Sequence, residues 1–235
     1  MERPRNNEAH PEQRVAGERE FDADLGAWLA LVRDWLAAWR GAVRGPVGHE
    51  ATPRIKMASS AYAGSMGGGG YAKGGIYLGG RRICRPSELH AAFAAASAGR
   101  SLPLEHQLIA EAIASSWAAR PGQAVISACS AAEVALSGSY DKVLATAGRS
   151  EKERAEILAS VSGVVELYRL NASRKRGLPI SLRAVMHRLA HPRNRAVHAG
   201  DQPDEKTVRQ AIEAATAILA VAPLPTPRQL LATLA

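Results

Sequence analysis

Between Leu104 and Ala222 apolar residues return at steps of three and four, a spacing that suits packed amphipathic helices and little else. Leu104, Leu108, Ile109, Ala112, Ile113 and Trp117 form one stripe, and Val125, Cys129, Ala132 and Leu136 a second. Ile157, Val161, Val164, Val165 and Tyr168 form a third. The last runs through Val208, Ala211, Ile212, Ala215, Ile218, Leu219 and Ala222. Alanine dominates and only 2 phenylalanines occur, so the contacts are made by small side chains and the helices pack closely. The expectation is a mainly α protein, with an up-and-down bundle of four to five helices over 101–222.

Local signals place the boundaries. Pro121-Gly122 breaks the first helix, and Ser150 with Glu153 makes a capping box that starts the third. Lys175, Arg176 and Gly177 mark its end. After Pro179, Leu182, Val185, Met186 and Leu189 begin a helix that Pro192 must kink or break, because proline lacks a backbone donor and restricts His191. Gly200 stops the chain there and Pro203 opens the last helix, which leaves 223–235 as an exposed extension.

Ahead of the bundle, residues 1–20 are rich in Arg, Glu, Asn and Pro and read as a disordered tail. An accessory region fills 21–100. It opens with a helix whose stripe of Leu25, Trp28, Leu29, Val32, Leu36, Trp39 and Val43 is widened by Trp35. At that spacing tryptophans belong to a core or an interface. From Gly45 to Arg85 the chain turns to Gly, Ser and Tyr, a linker with room for a weak β-hairpin. Its glycines do not form a phosphate loop, since Lys73 is followed by Gly74 where serine or threonine is needed. Pro86-Ser87-Glu88 then open a short helix.

The formal charge of +8 is concentrated in one place. From Tyr168 to Gly200 there is no acid, while Arg169, Arg174, Lys175, Arg176, Arg183, Arg188, Arg193 and Arg195 stand there with His187, His191 and His198. Such a block makes a field suited to a polyanion, although a charge run alone more often reads as a solvated basic face or as contacts to acidic residues elsewhere in the fold. Cys84 and Cys129 lie far apart without a C-x-x-C companion, so a reducing cytoplasm is expected, with neither a disulfide framework nor a zinc site. His187 and His191 are four apart, but Pro192 disturbs the turn and no third ligand stands nearby, so no metal or other cofactor is expected. No apolar leader and no long uncharged run is present, hence no membrane partner is expected.

Within the basic block lies Arg193-Asn194-Arg195-Ala196-Val197-His198. A guanidinium forks onto phosphate oxygens and an imidazole exchanges a proton near neutral pH, which are the two things RNA cleavage requires. On a regular helix Arg193 and His198 stand about 140° apart, whereas Asn194 and His198, four apart, share a face. Asn194 is therefore expected to orient the imidazole. Arg193 reaches the cleft by its long arm, by the kink after Pro192, or by serving a partner's site. Glu133, at the edge of an apolar face, is expected to pair with a motif residue or its neighbour in a structural or orienting role.

The hexad set before a final amphipathic helix resembles the R-x4-6-H motif of the HEPN domain family. Leu102 to Leu108 followed by Ala128 to Leu136 is similar to the first two helices of bacterial HEPN proteins linked to phage defence. The resemblance covers roughly Ser101 to Ala222, about half the chain. It implies a metal-independent endoribonuclease acting as a homodimer, with Arg193 and His198 as the family's arginine and histidine. Phosphate contacts would come from Arg174, Lys175, Arg176, Arg183, Arg188 and Arg195. It also implies a toxin or antiviral defence effector, whose partners are RNA and an antitoxin or larger defence partner. The alternative is a noncatalytic HEPN module that binds nucleic acid, nucleotide or a protein. A further alternative is a scaffold that docks a partner through its Trp-rich helix.

Overall fold

The computed structural model describes residues 11–39, 85–173 and 178–234. The expected hairpin, Arg174, Lys175 and Arg176 lie outside the described residues. No strand occurs among the described residues. The helices are α1 (Pro11–Trp39), α2 (Pro86–Ser97), α3 (Leu104–Trp117), α4 (Pro121–Thr146), α5 (Glu151–Ser160) and α6 (Gly163–Ala172). Then come α7 (Leu182–Val185), a π-helical segment (Met186–Ala190), α8 (His191–His198), α9 (Glu205–Ile218) with a 3-10 turn (Leu219–Val221), and α10 (Pro227–Leu234). Because α7, the π segment and α8 follow one another without a gap, nine separate helices stand among the described residues.

Four to five helices are therefore too few, and the excess has local causes. The stripe from Ile157 to Tyr168 is two helices, since Gly163 sits at φ +77°, a left-handed conformation that starts α6 in a new direction. The capping box is present as expected: Ser150 Oγ accepts from Glu153 N at 3.3 Å, and the Glu153 carboxylate accepts from Ser150 N at 2.9 Å. It starts only the ten-residue α5. Thr226 caps α10 by accepting from Gln229 N at 3.3 Å, so the segment after Pro223 is helical where an extension was expected. At the other end α1 begins at Pro11, inside the stretch expected as tail.

Pro192 does not end its helix. Lacking an N–H, it gives nothing to the carbonyl four residues back, and the preceding turn widens so that His191 N–H bonds Met186 O five residues back. The helix absorbs the proline as a π segment and continues to His198.

The described residues fall into two compact units. One holds α1 up to Ala37, α2 and α10. Its core includes Val32, Trp35 and Leu36 of α1. Trp28 packs on Phe93 at 5.2 Å between ring centroids, and Trp35 Nε1 donates to Arg100 O at 2.8 Å. The other unit holds α3 to α9 around α4, whose small residues Ala124, Ala128, Ala131, Ala132 and Ala135 are buried. That alanine surface lets α3, α6, α8 and α9 approach from several sides. Leu136, Leu189 and Ile218 fill the space between them. On α3 the buried residues are Ile109, Ala112 and Ser115, while Leu104 and Trp117 of the expected stripe are 54% and 49% exposed. No helix of the described residues is long and apolar enough to cross a membrane.

Candidate functional site

Arg193 stands in the first turn of α8, directly after the buried Pro192. Its half-buried side chain lines a pocket of about 450 Å³ together with Asn194, Glu133 and Cys129 of α4, and Ser162, Gly163 and Val164 at the start of α6. Glu133 is fixed from one side: its Oε1 accepts from Val164 N at 3.1 Å and lies 3.9 Å from Cys129 Sγ. Glu133 therefore anchors the N-terminus of α6, where a carboxylate also meets the positive end of the helix dipole. The expected pairing with a motif residue is not what holds it. Arg193 and Glu133 share the pocket wall without coming within ion-pairing distance.

Burial, reinforced by the Glu133 carboxylate and only partly offset by Arg193, pushes the Cys129 thiol up to about 12. Cys129 therefore stays a neutral thiol and is no nucleophile at physiological pH.

Asn194 is oriented by its neighbour: Arg193 Nη1 donates to Asn194 Oδ1 at 3.2 Å. No side-chain hydrogen bond joins Asn194 to His198 among the described residues. His198 is the exposed last residue of α8, and its ring makes no hydrogen bond among the described residues. Within this chain the hexad thus presents its arginine to the pocket and its histidine to the outside.

The other basic positions divide. Arg195 forms an ion pair with Asp201 at 2.6 Å, an acid just beyond the acid-free stretch. Arg183 and Arg188 are exposed and make no ion pair among the described residues. Asn194 also borders a second depression of about 680 Å³, lined by His187, His191, Arg195 and Asp204. Ser162 and Val165 border a third, of about 580 Å³, which reaches Arg169 and Ser173. His187 and His191 meet edge to face at 5.2 Å, and among the described residues no three His, Cys, Asp or Glu side chains gather as a metal site.

Sequence reasoning brought Arg193, Asn194 and Glu133 to one place but missed the α6 start, which forms a wall of the pocket. Gly163 was the available signal, a glycine inside an apolar helical stripe. No family model matches this chain, and neither a curated protein nor a solved structure does.

Proposed function

We propose that the chain is a metal-independent endoribonuclease of HEPN type that works as a homodimer in the cytoplasm, as a toxin or phage-defence effector. The observation that supports this most is that neither residue of the pair is spent on holding the fold. Among the described residues Arg193 lines a pocket without an ionic partner, and His198 is exposed with an unbonded ring. A second copy, presenting His198 to the pocket of the first, completes the site.

In that site the RNA 2′-oxygen attacks phosphorus while His198 takes its proton. The guanidinium of Arg193 holds the charge that develops on the phosphorane oxygens. The P–O5′ bond then breaks as the imidazolium returns a proton to the 5′-oxygen. A 2′,3′-cyclic phosphate and a 5′-hydroxyl remain, and DNA, without the 2′-hydroxyl, is left uncut.

The test is incubation of the purified protein with RNA in EDTA, beside Arg193→Ala and His198→Ala. Cleavage by the wild type with loss in both variants is expected. Intact RNA at high protein concentration, or cutting unchanged by His198→Ala, overturns the proposal. One observation favours a second reading, a noncatalytic module that binds nucleotide or RNA: the Glu133 carboxylate lines the same pocket as Arg193 and repels a phosphate placed deep in it. Salt-dependent RNA binding without cutting would select that reading.

A further inference from the structure

We infer that the pocket between α4, α6 and α8 is a base-reading site selective for guanine. The inference rests on the reading of the protein as one that binds RNA. A pocket of about 450 Å³ falls within the range of small-ligand sites, roughly 300–1,000 Å³. Its polar groups are of mixed sign. Glu133 supplies a carboxylate whose Oε1 is held by Val164 N and whose Oε2 makes no hydrogen bond among the described residues. Asn194 accepts from Arg193 through Oδ1, an arrangement that leaves its Nδ2 to donate. The apolar part of the wall comes from Val164, Val165 and Ala190.

An anion alone satisfies only the donors and is repelled by Glu133. A cation alone is repelled by Arg193. A neutral base with donors on one edge and acceptors on the next satisfies both, and the four bases differ in how they do so. Guanine carries two adjacent donors, N1–H and N2–H, which a carboxylate accepts, with O6 beside them for the Asn194 amide. Uracil sets its single N3–H between two carbonyls that repel a carboxylate. Adenine and cytosine each offer one amino group next to an unprotonated ring nitrogen. Arg193 keeps its remaining N–H groups for the phosphate of the same nucleotide, so the base reader and the charge clamp are different side chains.

Isothermal titration calorimetry of the full chain with GMP, IMP, AMP, CMP and UMP tests this. GMP is expected to bind at least about tenfold tighter than AMP, CMP or UMP, and IMP, which lacks only the 2-amino group, about tenfold weaker than GMP. Glu133→Gln retains an oxygen for Val164 N–H and is expected to abolish the preference for GMP over AMP. Equal affinity for the five nucleotides, no binding at millimolar concentration, or a preference unchanged in Glu133→Gln overturns the inference. The nucleotide series on the wild type decides the matter even where the variant fails to fold. An RNA tetramer with one G that binds tighter than GMP assigns the site to RNA, and equal binding assigns it to free nucleotide. Either outcome supports the guanine site. Guanine preference without RNA cleavage refutes the ribonuclease reading alone, and cleavage without guanine preference refutes this inference alone.

Discussion

A heterodimer built from one Arg193→Ala chain and one His198→Ala chain, isolated through two different tags, tests the shared site directly. Along α8 the two residues are separated by five positions, which is about 7.5 Å of rise and about 140° of rotation. Arg193 lies against the Glu133 pocket and His198 is exposed, so in one protomer they serve different surfaces. When each site takes its arginine from one chain and its histidine from the other, one of the heterodimer's two sites is intact and the second lacks both groups. Its activity is then about half that of the wild-type dimer. Each mutant homodimer has no intact site and falls by about 10²–10⁴. The assay is initial-rate cleavage of a fluorescent RNA at equal dimer concentration. A heterodimer as inactive as the two homodimers refutes the reasoning, since a site drawing both groups from one chain has no intact copy in it.

Further expectations concern the frame around the site. Gly163→Ala places a Cβ 3.9 Å from Glu133 Oε1, an ordinary contact, so its cost is that of the left-handed backbone, about 1–2 kcal/mol in a urea denaturation series; a neutral result refutes the account of the α5–α6 break. Cys129, with its thiol pushed up to about 12, resists iodoacetamide at pH 8 in the folded protein and is labelled promptly in urea, as read by peptide mass mapping. Hydrogen bonds from the Thr207 side chain and from Thr207 N, the latter at 2.8 Å, hold the Asp204 carboxyl below the ordinary 3.8. Asp204→Ala therefore lowers Tm at pH 7. The difference persists while the pH stays above 3.8 and fades as it falls through the lower folded value.

What was legible in the sequence was whatever is written in short-range periodicity. The buried faces of α4 and α9 follow the apolar spacing, because each packs on several neighbours and a misplaced polar residue there has no solvent to turn to. Leu104 and Trp117 fit the same spacing but stand at the two ends of α3, where there is less to pack against, so the pattern overstates their burial. Gly163 was hidden by the opposite error: the apolar stripe runs across it, and only the backbone angle reveals two helices. In the site, the type and order of Arg193, Asn194 and His198 were readable. The partner of Asn194 was not, because two acceptable hydrogen-bond neighbours, one adjacent and one a helical turn away, compete for one amide.

The difference between Arg193 and His198 follows from Pro192. Its ring is buried and its fixed φ suits the first turn of a helix, while the π segment before it takes up the missing donor. Arg193 therefore leaves a stretch clamped by Val185, Leu189 and Pro192, all of them buried. A group that must meet charge only when that charge develops is useful to the extent that it is already in place, and a clamped helical turn provides that. His198 leaves the last residue of the same helix, six residues beyond the clamp, where the chain turns at Gly200 with φ +66°. Helix ends fray, and a proton carrier at such an end gains a defined position when another surface packs over it. Val197 beside it is 44% exposed, a branched apolar side chain open to solvent at the helix end. On the proposed reading the chain thus fixes Arg193 by its own core and leaves His198 for a second surface to fix, which is the physical ground for expecting dimerisation and cleavage to be lost together.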